Sequence, residues 1–154
     1  MQELVLVCNK YNYIMTQEEK QLLLVDLCGR LPHELKCNVG GEIPYTLRKI
    51  EIDDKNGHLC DFIETKDGLD MQVYLSEVKP YLFPMSSMTE EQKEEYHYIV
   101  NYISPDDTDN WKEGEFIYVN QMTALLHFYH KNHLDYKGLI PMDLAIDATG
   151  KHIY

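Results

Sequence analysis

From residue 35 to residue 75 the apolar residues recur at every second position, and glycine-bearing dipeptides interrupt them. Leu35, Cys37 and Val39 alternate up to Gly40-Gly41. Tyr45 and Leu47 alternate next, and Ile50 and Ile52 resume one residue out of phase. A run at Leu59–Ile63 follows, then Leu69, Met71, Val73 and Leu75. A period of two places such residues on one face of a strand. Asn56-Gly57 and Asp67-Gly68 supply the positive φ that a two-residue hairpin turn needs. The pattern predicts four short antiparallel strands in a meander. The phase slip near Arg48-Lys49 predicts a β-bulge that bends its strand, hence a strongly curled sheet or a small open barrel. A bare meander is marginally stable, so helix must cover one face.

The flanks supply helices. Thr16 with Glu19, and Thr89 with Gln92, are capping boxes. Leu24, Leu27, Cys28 and Leu31, with Leu23 beside them, form an apolar stripe that Gly29 and Pro32 bring to a stop. Tyr96, Ile99, Val100 and Ile103 form a second stripe, ended by Ser104-Pro105. A third helix starts at the cap Asn120, runs to about Asn132, and carries Met122, Leu125, Leu126 and Tyr129. The expected fold is α+β: an N-terminal helix, the meander, then two C-terminal helices. Past Gly138, Leu139, Ile140, Met142 and Leu144 are expected to lie back on the core.

A chain of 154 residues suits one domain. Residues 15–154 are read as that domain, and residues 1–14 as an N-terminal extension or short strand. Leu4–Cys8 is shorter than a signal-peptide core, and Gln2-Glu3 stands where a basic leader would be. The cysteines at 8, 28, 37 and 60 lack the Cys-x-x-Cys spacing of zinc and redox sites. Their apolar settings point to reduced core thiols and a cytoplasmic protein, with no membrane-spanning stretch.

The net charge of −12 repels phosphate backbones and disfavours nucleic acid as a partner. From Thr89 to Glu115 there are nine acids against two lysines. A run of this kind is commonly a solvated face; its functional reading is a docking surface for a basic protein, or imitation of a nucleic-acid strand. Trp111, among Asp106, Asp107 and Asp109, favours the second, because tryptophan is enriched where binding energy concentrates. Twelve tyrosines, against four phenylalanines and one tryptophan, suit half-buried faces and interfaces. Tyr81 and Phe83, in the proline-bearing stretch from Lys79 to Met85, are further binding candidates, although packing across the sheet edge would also use them.

His127, His130 and His133 suggest a metal site, with His127 and His130 adjacent at i, i+3. On a helical wheel the three fan outward. His127 points away from the apolar stripe, and no His-Glu-x-x-His or cysteine pair completes a ligand set. No metal and no cofactor is therefore expected, and two of the three histidines should be exposed. Nucleophile elbows, Walker loops and dinucleotide-binding glycine motifs are absent from the sequence. Cys28 with His33 is close in sequence only. Asp53-Asp54, Asp61, Glu64 and Asp70, with His58 and Cys60, offer scattered polar groups without an assignable role.

Three stretches carry a family likeness. The tail reads aromatic-His-x-x-His-x-Asp-Tyr-Lys-Gly-Leu-Ile-Pro-Met-x-Leu-Ala, and the others are Glu77–Thr89 and Met15–Arg30. Together, over about residues 15–148, they resemble a group of small proteins of phages and mobile elements of gut anaerobic bacteria, for which no activity is established. The resemblance implies regulatory, anti-defence or host-interaction roles ahead of metabolism, and assigns no functional residue. The leading expectation is a non-enzymatic binding or regulatory protein acting through an acidic, tyrosine-rich surface. The alternative is a small hydrolase or nucleic-acid-processing enzyme built from scattered His, Asp and Cys residues.

Overall fold

The computed structural model of the chain describes residues 14–53, 57–64, 70–103 and 120–154, and the side chains of all of these outside 52–71. Within them the fold is α+β. Helix α1 spans Gln17–Arg30 and opens on the full capping box, with Thr16 and Glu19 bonded reciprocally. A single 3₁₀ turn, Leu31–His33, follows it. Strands β1 (Lys36–Asn38), β2 (Tyr45–Asp53), β3 (Gly57–Glu64) and β4 (Asp70–Tyr74) pair as an antiparallel meander. The register shifts between Leu47 and Lys49, where the change of apolar phase places the bulge. The turn residues 54–56 and 65–69 lie outside the described residues.

Beyond the meander the sheet differs from the expectation. Lys79–Leu82 is strand β5, antiparallel to β1. Two helices follow, α2 (Glu90–Tyr102) and α3 (Gln121–Lys131), and then Ile146–Asp147 pairs with β5 as the parallel strand β6. The six strands run in the order β4-β3-β2-β1-β5-β6, a mixed and open sheet. β5 occupies the edge of β1 that barrel closure against β4 would require. The helices also do not end the chain, because β6 returns to the sheet after them.

Two apolar clusters result. Leu23, Leu27, Leu35, Leu47, Leu82 and Leu139 belong to the larger, between α1, the sheet and the tail. Ile99, Ala124, Phe128 and Leu134 form the smaller, between α2 and α3. The α3 stripe is centred on Ala124 and Phe128, and Met122 is exposed. Val100 of α2 is exposed as well. The shift on α3 has a cause in its cover: α2 packs on one side and α1 on another, so a single-faced pattern misplaces its centre. In the tail Leu139 and Leu144 are buried, Ile140 is half-buried, and Met142 is exposed, contrary to expectation. The Asp135 carboxylate accepts from the amides of Leu139 and Ile140 and fixes that turn.

Candidate functional site

Helix α1 does not stop at Gly29; it passes through it, because the glycine serves a close approach. A Cβ at residue 29 would lie 2.6 Å from Cε1 of His130. The missing side chain lets the α3 imidazole lie against the α1 backbone.

One turn of contacts further, Arg30 is fully buried. Its Nε donates to Asp26 Oδ2 at 2.8 Å and its Nη2 to Asp26 Oδ1 at 3.1 Å, a two-pronged pair one helical turn apart. The same Nη2 donates to the Leu134 carbonyl at 2.6 Å, and Nη1 reaches the Tyr129 carbonyl at 3.5 Å. A cation thereby meets the carbonyl-rich end of α3, where the helix dipole favours it. The guanidinium also lies 5.5 Å from the centre of the Tyr136 ring, which stacks on Tyr129 at 4.6 Å.

The histidines gather around this arginine. The rings of His33 and His127 meet edge to face at 5.3 Å, and His33 and His130 lie 6.3 Å apart. His130 Nε2 shares a 3.0 Å hydrogen bond with the Tyr136 hydroxyl. His133, in the left-handed region at φ 53°, stacks on Tyr154 at 3.8 Å. The Tyr154 hydroxyl donates to the Tyr81 carbonyl and accepts from the Lys36 amide. None of His127, His130 and His133 is exposed, which corrects the expectation that two would be. The face of α3 opposite its apolar stripe is covered by α1 and the turn after it, and His33, which sequence reading left aside, is the residue that covers it. The one legible signal was Gly29, a glycine inside a capped helix.

Burial, and then the Arg30 charge, lowers the pKa of His130 to about 4, and the same two causes in the same order lower His133 to about 4. His33 is lowered as well, first by burial and then by His127 and Arg30. His130 and His133 are neutral at pH 7. Burial raises the phenols of Tyr129, Tyr136 and Tyr154.

The arrangement offers little chemistry. Both Asp26 oxygens are engaged by Arg30. Among the described residues no group of three His, Cys, Asp or Glu side chains is placed to hold a metal ion. Cys28 is exposed on α1, not buried, and the His33 ring packs on His127 and His130. The thiol faces outward because the buried side of that turn belongs to Asp26, Leu27 and Arg30.

The other sequence candidates separate clearly. Tyr81 is buried in β5, so its ring serves packing and not an exposed contact. Phe83 is half-buried; its amide donates to the His133 carbonyl at 2.8 Å, and its carbonyl accepts from Asp135 at 2.8 Å. Trp111, Asp106, Asp107 and Asp109 lie outside the described residues, as do residues 1–13 and the side chains of His58, Cys60, Asp61, Glu64 and Asp70. No helix among the described residues is long and apolar enough to cross a membrane.

A different surface carries unburied aromatic area. On α2 the rings of Tyr98 and Tyr102 stack at 5.5 Å and 24°, and the residues are 58% and 72% exposed. At roughly 100° per residue, Glu91 and Glu94 fall on the same face. Both are exposed, and neither has an ion-pair partner among the described residues. Lys93 is held by Glu90, and Glu95 by Lys131.

Compared with known proteins, the chain matches no family model, no curated protein sequence and no solved structure.

Proposed function

We propose that the chain is a non-enzymatic binding protein that docks on a basic protein surface through the outer face of α2. The observation that carries this reading is the exposed, stacked Tyr98–Tyr102 pair. Two parallel rings present a π-face and little conformational entropy to lose, the properties that concentrate binding energy in interfaces. Glu91 and Glu94 beside them add carboxylates that have no ion-pair partner among the described residues. An arginine suits both features at once, stacking on the rings while its N–H groups reach a carboxylate. In sequence the acidic run continues beyond α2 to Glu115, which extends the same charge. The resemblance to small proteins of phages and mobile elements agrees with a partner on the host side.

The reading is tested by affinity capture from host lysate with the wild type and with Tyr98→Ala/Tyr102→Ala side by side. The expected result is a partner held by the wild type, released by raised salt, and lost from the variant. Equal retention by both proteins would remove α2 from the interface.

A further inference from the structure

Strands β1 and β5 pair through Asn38 with Lys79 and Cys37 with Pro80, and the next pair in that register is Lys36 opposite Tyr81. In an antiparallel pair, alternate residues turn their backbone groups toward the partner strand. The Leu35 carbonyl accepts from the Leu47 amide on the β2 side, so Lys36 faces β5. The Leu82 carbonyl accepts from the Ala148 amide on the β6 side, so Tyr81 faces β1. The next rung is therefore a bond from the Lys36 amide to the Tyr81 carbonyl. A phenol stands between them instead. The Tyr154 hydroxyl accepts from the Lys36 amide at 3.1 Å and donates to the Tyr81 carbonyl at 2.8 Å. We propose that the place between β1 and β5 is a binding socket for a phenol ring, which the chain fills with its own Tyr154 and which a phenol from outside, free or on a partner's tyrosine, takes when residues 149–154 swing out.

The socket is built from parts held elsewhere in the fold. Lys36 is paired with Thr46 of β2, and its ammonium donates to Thr46 Oγ1 at 2.6 Å. The wall is His133, whose ring stacks on Tyr154 at 3.8 Å and 14°. A parallel bridge sets His133: the Phe83 amide donates to the His133 carbonyl and the Asp135 amide to the Phe83 carbonyl, both at 2.8 Å. The Phe83 ring flanks the site at 5.9 Å. A stacking face with one donor and one acceptor at its end selects a phenol over a plain benzene ring. A ring without the hydroxyl would leave that amide and that carbonyl without their shared partner. Burial raises the Tyr154 phenol, so the hydroxyl keeps its proton and serves both bonds at once.

The resident is held by its ring more than by its chain. Ala148 is buried, but Thr149, Gly150, Lys151 and His152 are exposed. The chain returns through Gly150 at φ 72° and His152 at φ 53°, and the left-handed region is unfavourable for a histidine. Tyr154 is 45% exposed although its hydroxyl is engaged at both ends, so the ring enters tip first from the solvent side. Swinging residues 149–154 out gives up the two hydroxyl bonds and the stack, and it relaxes His152. The pairing of β5 with Ile146–Asp147 is untouched.

The experiment compares the whole chain carrying Tyr154→Ala with the wild type. The probes are p-cresol, N-acetyl-tyrosinamide and toluene, and the readouts are the Lys36 amide and His133 ring signals in NMR. In the expected result both phenols bind the variant, move those two signals and raise its melting temperature. Toluene should bind at least about tenfold more weakly and leave the Lys36 amide where it was. The wild type should bind the phenols at least about tenfold more weakly than the variant, because its own tail competes at high local concentration. Binding of p-cresol without N-acetyl-tyrosinamide assigns the socket to small phenols; binding of both assigns it to tyrosine side chains. If Tyr154→Ala does not fold alone, recovery of dispersed amides with p-cresol and not with toluene is the same positive result. The proposal is overturned by a Lys36 amide that neither phenol moves, by toluene as effective as p-cresol, or by equal affinity of wild type and variant. An unfolded variant that p-cresol does not recover overturns it as well.

Discussion

Arg30 Nη2 sits 2.6 Å from the carbonyl oxygen of Leu134, a bond that ties the end of α1 to the chain just past α3. The same guanidinium neutralises Asp26 in a site that neither side chain shares with solvent. Arg30→Ala strands a buried carboxylate and takes one donor from each of two carbonyls, and should cost about 3–5 kcal/mol in urea unfolding. Asp26→Leu/Arg30→Met should recover most of that loss, because a matched apolar pair leaves no charge behind. A double variant as unstable as Arg30→Ala would argue that the carbonyl bonds matter more than the pair.

Glycine inside a helix normally gains stability on replacement by alanine, by about 0.5–1 kcal/mol. At Gly29 the sign should reverse. The new methyl meets the His130 ring at 2.6 Å, and crowding of this kind costs about 1–3 kcal/mol. Gly29→Ala/His130→Ala separates the effects: in a double-mutant cycle the alanine at 29 should lose most of its penalty once the ring is gone. Additive losses would contradict the contact.

In the tail, Leu139 is wholly buried and Met142 is 39% exposed. Leu139→Ala should lower stability by about 2–5 kcal/mol, and Met142→Ala should stay within about 0.5 kcal/mol of the wild type. Chemical denaturation of the two variants checks the contrast.

At the alkaline end the tyrosines decide. The fold favours the neutral phenols of Tyr129, Tyr136 and Tyr154, whose pKa values are raised above 10.0 chiefly by burial. Their contribution is whole below pH 10 and is lost as pH rises beyond it. Absorbance titration of phenolate should show these rings ionising above the ordinary tyrosine range, with unfolding following. Tyr154→Phe should unfold at a higher pH while being less stable at neutral pH, since the Lys36 amide and the Tyr81 carbonyl lose their shared partner.

Local signals were legible and long-range ones were not. Both capping boxes, the slip at Leu47–Lys49 and burial of Leu139 each depend on a few neighbouring residues, and all are found as read. β6 has two residues and no period to detect, and β5 is a proline-bearing stretch that reads as linker. Between α1 and α3, the helical wheel turned His127 away from the apolar stripe and toward solvent, but no wheel says what lies on that side. His33 reaches it across some ninety-four positions of sequence. Pairings of that span are invisible to periodicity. The Tyr98–Tyr102 spacing of four was legible as a neighbouring pair, and only the placement of α2 shows that nothing described covers it.

The sheet also contains a history. Its β1–β4 half closes through hairpin connections, each ordering a short length of chain. Its β5–β6 pair closes a far longer length of chain, because Leu82 meets Asp147 across both helices. Loop closure of that length is entropically dearer and slower than hairpin formation. The meander is thus expected to protect its amides first in pulse-labelled hydrogen exchange, and Tyr81 and Leu82 to gain protection on the β6 side last. A chain released before its tail is complete would expose a bare parallel edge at β5, the kind of edge on which two copies can exchange strands.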